Sequence, residues 1–198
     1  MIPRYTLPEM AELWSDDNKF RTWLKVEIAV CEAQQRRGLI PKKALENIKK
    51  KADFNLQEIA EIESKVHHDV IAFLTSVSNH VGDDSKYVHV GMTSSDILDI
   101  SLGAVLKDIN KLLISSLRKL MTSVRKKALK HKYTPILGRT HGVSAEPTTV
   151  GLKFALWFTE LERNLERLQS ACKQVEVGKI SGAVGTYAHV DPSVERYV

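Results

Sequence analysis

The sequence predicts an all-α protein, in which a small N-terminal helical domain precedes the long helices of an elongated bundle. Apolar residues recur at helical spacing along most of the 198 residues, and almost no stretch alternates with the period of two that is typical of strands. From Ser94 onward one face stays apolar for about 35 residues, which corresponds to a helix on the order of 50 Å long. This change in helix length predicts two domains, residues 1–93 and residues 94–198.

Shorter helices are predicted in the first domain. They cover residues 20–31, residues 42–52, the residues after Asn55 and the residues that follow Asp69. Asp16 or Asp17 is expected to cap the first of them, and Gly38 to end it. Residues 82–84 predict a turn, and residues 87–91 predict a short extended connection.

Two long helices dominate the second predicted domain. The first begins at Ser94 or Ser95, and the second begins near Pro147 and continues towards Gly178. Such helices need partners along their whole length, so a bundle built from these two alone would be incomplete. Residues 191–198 are typical of the opening of a further helix. Either the chain oligomerises along these helices, or further helices beyond residue 198 complete the bundle. The opening of a helix at the chain end favours a fragment whose bundle is completed by a missing C-terminal part and by other subunits.

Composition and charge exclude some classes of protein and favour others. Lys and Arg number 29 and Asp and Glu number 24, and the resulting net charge of +5 suits anionic ligands as well as nucleic acid. No apolar run is long enough to span a membrane, and the first residues lack the pattern of a secretory signal. Cys31 and Cys172 lie far apart in apolar helical patterns, which is typical of buried free thiols in a reducing cytoplasm.

Two short polar segments stand out in the first domain. Arg4 and Tyr5 together can pair with a phosphate and stack on a base, although an exposed surface pair is the simpler interpretation. His67, His68 and Asp69 lie at a predicted helix junction, where they could hold an anion or move a proton. The alternative is a capping Asp69 beside two exposed histidines. Adjacent histidines lack the i, i+4 spacing of helical metal ligands, so no metal site is predicted.

Three further segments carry more polar residues and glycines than packing requires. Residues 89–96 place His89, a glycine and three hydroxyl residues at a helix start, which offers N–H groups and hydroxyls to an anion; simple N-capping is the alternative. Residues 138–149 join the long helices and contain Arg, Thr and His between glycines that permit close approach of a ligand. The glycine-rich residues 178–186 lack the flanking strand of a dinucleotide or P-loop motif.

These segments, in this order, resemble the adenylosuccinate lyase family of the fumarase/aspartase superfamily. The matching parts are Arg4-Tyr5, His68-Asp69, residues 89–96, residues 138–149 and residues 178–187. The resemblance implies a carbon–nitrogen lyase of purine biosynthesis that eliminates fumarate without a cofactor. Adenylosuccinate would yield AMP, and the succinylcarboxamide ribotide SAICAR would yield AICAR. Such an elimination needs a base, an acid for the departing nitrogen, and groups that stabilise the carbanion.

The resemblance also implies a role for each residue. His141 is expected to be the general acid that protonates the leaving amino group, with Thr140 beside it in the pocket. His68 is expected to bind substrate and assist this proton transfer, and Asp69 to orient His68. The other expected substrate contacts are Arg4 and Tyr5 on the nucleotide, His67 in the same pocket, His89 near the phosphate, and Thr93 and Ser94 on a succinyl carboxylate.

Two departures from the family pattern affect these expectations. Ser144 stands where the family commonly has a second histidine, which concerns substrate binding more than the chemistry. The family loop with Ser-Ser followed by Met-Pro, Lys and Asn supplies the base serine, and it does not occur before Val198. We therefore expect roughly the N-terminal half of a family member, inactive alone. Family members are homotetramers whose active sites each draw on three subunits.

Two alternatives remain open. The protein could be another lyase of the superfamily, acting on argininosuccinate or a carboxymuconate, although Arg4-Tyr5 and residues 178–187 favour the purine substrate. It could instead be a helical interaction module whose basic helix end, residues 125–132, binds nucleic acid with an affinity that falls steeply with salt. The helix dipole favours cations at that end without any such partner, so no nucleic-acid partner is expected.

Overall fold

The computed structural model describes residues 2–198 and confirms the helical fold class. The α-helices are α1 (Pro8–Leu13), α2 (Asp16–Arg36), α3 (Lys42–Lys51), α4 (Leu56–Val66), α5 (Asp69–Val81), α6 (Ser94–Lys130), α7 (Val150–Val175) and α8 (Pro192–Tyr197). Short 3-10 helices cover Pro3–Tyr5 and Gly82–Tyr87, and the strands β1 (Pro135–Thr140) and β2 (Val143–Thr149) form one small antiparallel sheet. The chain divides into a first compact unit, residues up to 106 with residues 176–198, and a second, residues 107–175.

An aromatic cluster lies at the centre of the first unit. Phe20 and Trp23 of α2 meet edge to face with their ring centroids 5.0 Å apart, and Phe73 of α5 stacks on Phe20 at 5.6 Å. Phe54 adds a tilted contact with Phe73 at 6.1 Å. All the rings except Phe54 are at least nine-tenths buried, so the predicted apolar face of α2 is confirmed as a core face.

Residues after 176 return to the first unit and pack on α2. Ile180, Val190 and Val194 are buried together with Val30 and Ala33 of that helix. Arg37, just past the end of α2, forms an ion pair with Asp191 at 3.0 Å. The segment that precedes α8 is therefore anchored by apolar burial and by charge.

Two helix caps differ from the expectation. Ser15 caps α2 by accepting a hydrogen bond from the Asn18 N–H, while Asp16 and Asp17 lie inside the first turn. His68 caps α5 in the same way, and Asp69 is the first residue of that helix. A cap requires extended backbone outside the helix, and carboxylates in the first turn are favoured by the helix dipole instead.

The long helices agree with the predicted pattern except at their ends. Helix α6 has 37 residues, which makes it roughly 55 Å long. Helix α7 begins at Val150 rather than near Pro147, because Pro147 belongs to β2. Residues 88–91 form a turn instead of the expected extended connection.

A β-hairpin in the second unit was not predicted. Thr140 pairs with Val143 across a loop of only two residues, His141 and Gly142. Both have positive φ, 50° and 78°, as a type I′ turn requires. A register shift at Gly138 marks a β-bulge. Because both faces of the hairpin are largely exposed, its sequence lacks the apolar and polar alternation that identifies a half-buried strand.

The two hairpin glycines allow a direct comparison. A Cβ at Gly138 would overlap the Glu146 carbonyl oxygen, whereas a Cβ at Gly142 would meet nothing within 4 Å. We expect Gly142→Ala to cost about 1–2 kcal/mol through its left-handed backbone alone, and Gly138→Ala to cost more because the strands must separate. Hydrogen exchange of the hairpin amides in the complete protein checks this. Equal loss of protection in both variants would contradict it.

Both cysteines are free and buried. Burial, with added repulsion from Glu27 and Glu32, raises the pKa of the Cys31 thiol to about 12. At pH 8 only about one part in ten thousand is then thiolate, the reactive form. We expect a thiol reagent to modify Cys31 only after urea unfolds the protein, and rapid labelling of the native protein would contradict this. No helix within residues 2–198 is long and apolar enough to cross a membrane.

Candidate functional site

Arg4 and Tyr5 form an exposed pair in the N-terminal 3-10 helix. The Arg4 guanidinium carbon lies 4.7 Å from the centroid of the Tyr5 ring, within the range of a cation–π contact. Tyr5 is 73% exposed. Both a cationic fork and an aromatic face are therefore open to a ligand.

The junction of α4 and α5 presents two histidines in different conformations. His67 ends α4 with left-handed backbone, at φ 53°. His68 Nδ1 accepts a hydrogen bond from the Ile71 N–H at 3.4 Å, so a neutral ring carries its proton on Nε2. Asp69 Oδ1 lies 3.9 Å from His68 Nδ1, beyond hydrogen-bond distance, and accepts from the Val70 N–H. The helix N-terminus, rather than Asp69, orients the His68 ring.

His89 is held by a residue that the sequence analysis did not single out. Its Nδ1 lies 2.6 Å from Oε1 of Glu27, a side chain that is 1% exposed in the middle of α2. The His89 side chain is 19% exposed. The backbone at His89 is left-handed, with φ 66°. The buried Glu27 carboxylate is thus the side chain that orients this ring.

Asp96 ties the start of α6 to the glycine-rich segment near residue 180. Its Oδ1 accepts from Lys179 Nζ at 2.8 Å and from the Ser181 N–H at 3.2 Å. Its Oδ2 accepts from the N–H groups of Thr93 at 3.0 Å and Gly182 at 3.1 Å. Asp96 is fully buried. The expected carboxylate-binding pair, Thr93 and Ser94, is only partly buried, next to this network.

Opposing effects act on the ionisation of Asp96. Burial by itself would raise the pKa of its carboxyl group, but hydrogen bonds from Lys179 and from the N–H groups of Thr93 and Ser181 outweigh it, so the pKa lies below its ordinary value. The same hydrogen bond raises the pKa of Lys179. The pair is therefore ionised at neutral pH.

In the second unit, Thr140 and His141 lie at the tip of the hairpin. Both side chains are exposed. The type I′ turn fixes the His141 backbone, and the adjacent Gly142 supplies the positive φ that the second turn position needs. An imidazole on a short, defined turn can act as a proton donor or acceptor.

Left-handed backbone is concentrated at the candidate histidines. Among residues 2–198, four non-glycine residues have positive φ: His67, His89, His141 and Tyr187. Three of them are candidate site residues. Such conformations are uncommon outside glycine and cluster at functional sites, so the backbone marks the same histidines as the motifs do.

Within the first unit, His68 and His89 are each held by other parts of the chain and not by one another: His68 by the start of α5, and His89 by Glu27 of α2. No hydrogen bond or ion pair in the described chain joins Arg4, His68 and His89 to each other. Residues 2–198 also contain no cluster of three or more side chains suited to a metal ion.

Three residues with a clear structural role were missed from the sequence: Glu27, Asp96 and Lys179. Glu27 falls four residues after Trp23 and four before Cys31, which places a charged residue on the apolar face of the predicted helix. A charge at such a position could have indicated that Glu27 has a buried partner. Thr93 and Asp96 have the spacing of a capping box. No feature of the sequence near Lys179 indicated its role, because its partner Asp96 is 83 residues away.

Comparison with known proteins extends these findings. Residues 4–198 match the family model described as lyase. The chain is 50% identical over all 198 residues to an adenylosuccinate lyase of Bacillus subtilis, covering 46% of that protein. It is 53% identical over 195 residues to an adenylosuccinate lyase of Synechocystis sp., covering 98% of this chain and 45% of that protein. The chain thus spans about half the length of these curated relatives.

Solved structures show the same fold. A fumarate lyase from Mesorhizobium sp. superposes with a TM-score of 0.89 at 29% identity, over 96% of this chain and 46% of its own. A 3-carboxy-cis,cis-muconate lactonizing enzyme from Pseudomonas putida superposes with a TM-score of 0.86 at 31% identity, over 93% of this chain and 44% of its own. Since the family model matches nearly the whole chain, the protein belongs to the lyase family.

Proposed function

We propose that the complete protein is an adenylosuccinate lyase, which eliminates fumarate from adenylosuccinate to give AMP and from SAICAR to give AICAR. The observation that carries this proposal is the 50% identity to the Bacillus subtilis adenylosuccinate lyase along the entire chain. The exposed His141 on its left-handed turn supports it, since the reaction requires a proton donor for the departing nitrogen.

His141 is the general acid in this proposal. Its place on an exposed turn beside Thr140 allows it to reach a leaving amino group. His68 binds substrate and assists the transfer, because its Nδ1 is occupied at the helix N-terminus and Nε2–H remains available. Asp69 lies next to it in the first turn of α5.

The remaining side chains bind the substrate. Arg4 and Tyr5 hold the nucleotide through charge and stacking, and His67 contributes to the same pocket. The other assigned contacts are His89 near the phosphate and Thr93 and Ser94 on a carboxylate of the succinyl group.

We further propose a cytoplasmic homotetramer in which active sites are shared between subunits. Large apolar side chains of α6 and α7 in the second unit are each at least 41% exposed in a single copy: Leu113, Leu120, Leu129, Leu152, Leu156 and Trp157. Exposed apolar surface of this kind is typical of an interface. In the complete protein, residues 1–93 would form an N-terminal domain, and the helices from residue 94 onward would enter the bundle.

The experiment that tests the substrate class compares two products. Calorimetry with the complete protein should detect binding of AMP and none of arginine, because only AMP offers a phosphate and a base to Arg4 and Tyr5. Binding of arginine alone would contradict the proposal and indicate an argininosuccinate-type reaction.

A further inference from the structure

A buried charge lies on the core face of α2. Glu27 is 1% exposed on a face where the neighbours Trp23 and Cys31 are buried apolar residues. It is separated from His89 by 62 residues, yet their side chains are 2.6 Å apart. Burying a carboxylate is costly unless a hydrogen-bonded partner compensates it. The proposed reaction gives Glu27 no direct role, so its burial requires an explanation.

His89 is the compensating partner. Within residues 2–198 it is the basic side chain that pairs with Glu27, and the second oxygen, Oε2, is buried without a hydrogen bond. The neighbouring Cys31 cannot compensate the carboxylate, because a cysteine side chain is either neutral or anionic. Burial and the repulsion from Glu27 raise its pKa to about 12, so it stays a neutral thiol. Rotation of the His89 ring away from Glu27 would leave the whole carboxylate unpaired, so the burial of Glu27 enforces one orientation of the ring.

We propose that Glu27 is a positioning residue that accepts the Nδ1–H of His89 and thereby presents Nε2 to an anionic group of the ligand. When the ring carries a second proton opposite such a group, the carboxylate compensates its charge. The backbone at His89 is left-handed as well, with φ 66°, a conformation that is uncommon outside glycine. The nature of the anion, the phosphate of AMP, rests on the proposed function; the pairing itself does not.

The test measures the preference of the complete protein for AMP over adenosine, which lacks the phosphate. Glu27→Met removes both the acceptor and the charge, and we expect this preference to fall about tenfold. Glu27→Gln keeps an acceptor oxygen for His89, so this variant should retain most of the preference for AMP over adenosine that Glu27→Met loses. Because Glu27 acts through His89, the Glu27→Met and His89→Gln double variant should lose no more than His89→Gln alone.

Glu32→Gln is the matched control. Glu32 also lies on α2 and pairs with a cation, Lys49, at 2.5 Å, but it does not contact His89. Its substitution should leave the preference for AMP over adenosine unchanged. An unchanged preference in Glu27→Met overturns the proposal, and an equal fall in Glu32→Gln does so too, because it would reveal a general effect of altering α2.

A second readout needs no Glu27 variant to fold. Nitrogen-15 NMR of the wild-type protein labelled at histidine, with His89→Gln to assign the signal, should show a proton on His89 Nδ1. An unprotonated Nδ1 would overturn the proposal. A wild-type protein that does not prefer AMP would refute the proposed function, while the NMR signal would still decide the role of Glu27.

Discussion

Substitution of His141 by alanine in the complete protein is expected to lower kcat for adenylosuccinate by about 10²–10⁴-fold, the usual contribution of a general acid. KM should change little, because the proton transfer stabilises only the transition state. The side chain is exposed at a hairpin tip, so folding should be unaffected. Steady-state kinetics followed by ultraviolet absorbance measure kcat and KM, and a thermal unfolding curve checks that folding is unaffected.

His131→Ala provides the control for this substitution. His131 lies just past the end of α6, in the same unit, and its Nδ1 is 3.3 Å from the Thr134 hydroxyl. It has no role in the proposed reaction, so kcat should stay at the wild-type level. If turnover survives in His141→Ala, the acid role passes to His68.

Substitution of Asp96 by alanine is expected to be the most destabilising change outside the aromatic core, at about 3 kcal/mol of unfolding free energy. The carboxylate accepts four hydrogen bonds, from Lys179 and from three backbone N–H groups. Its removal leaves the buried Ser181 N–H without a partner, at a cost of about 1–3 kcal/mol, and three partly buried donors lose a partner at a smaller cost each. Urea unfolding of the complete protein measures the change.

Asp108→Ala is the matched control. Asp108 lies on the same helix and pairs with Lys111 at 2.7 Å, but both side chains are more than half exposed. Exposed pairs contribute about 0–1 kcal/mol, so little change is expected. Equal destabilisation by the two substitutions would contradict this prediction, because it would show that the network around Asp96 stabilises the protein no more than an exposed ion pair does.

The Asp96 network also predicts a direction for the pH dependence of stability. The pKa of Asp96 in the folded protein lies below its ordinary value of 3.8. The stabilisation is therefore fully present above about pH 4 and is lost as the pH falls through the folded-state pKa. In acid the difference in unfolding free energy between wild type and Asp96→Ala should shrink. A difference that grows with acidity would contradict this sign.

The helical part of the fold could be predicted because its signals are local and strong. The aromatic and aliphatic face that begins at Phe20 and the long apolar stripe after Ser94 both have helical spacing. The hairpin could not be predicted this way. Its strands contain Pro135 and Pro147, expose both faces and depend on a two-residue turn whose His-Gly sequence is less specific than Asn-Gly.

The candidate site, like the fold, has features that the sequence could predict and features that it could not. Residue types at His68, His89 and His141 were visible in the motifs, and the resemblance to a known family supplied their expected roles. Their left-handed or capping backbone was not visible, because it depends on how neighbouring elements join. Glu27 was missed for a related reason: its partner is 62 residues away, and only the folded chain brings the two together.

In the proposed function, this chain carries substrate-binding residues and the general acid of an adenylosuccinate lyase. Incubation of the complete protein with adenylosuccinate, followed by chromatographic measurement of the products, tests it most directly. We predict that AMP and fumarate form in equal amounts. A folded protein that leaves adenylosuccinate intact while releasing fumarate from argininosuccinate would contradict the claim.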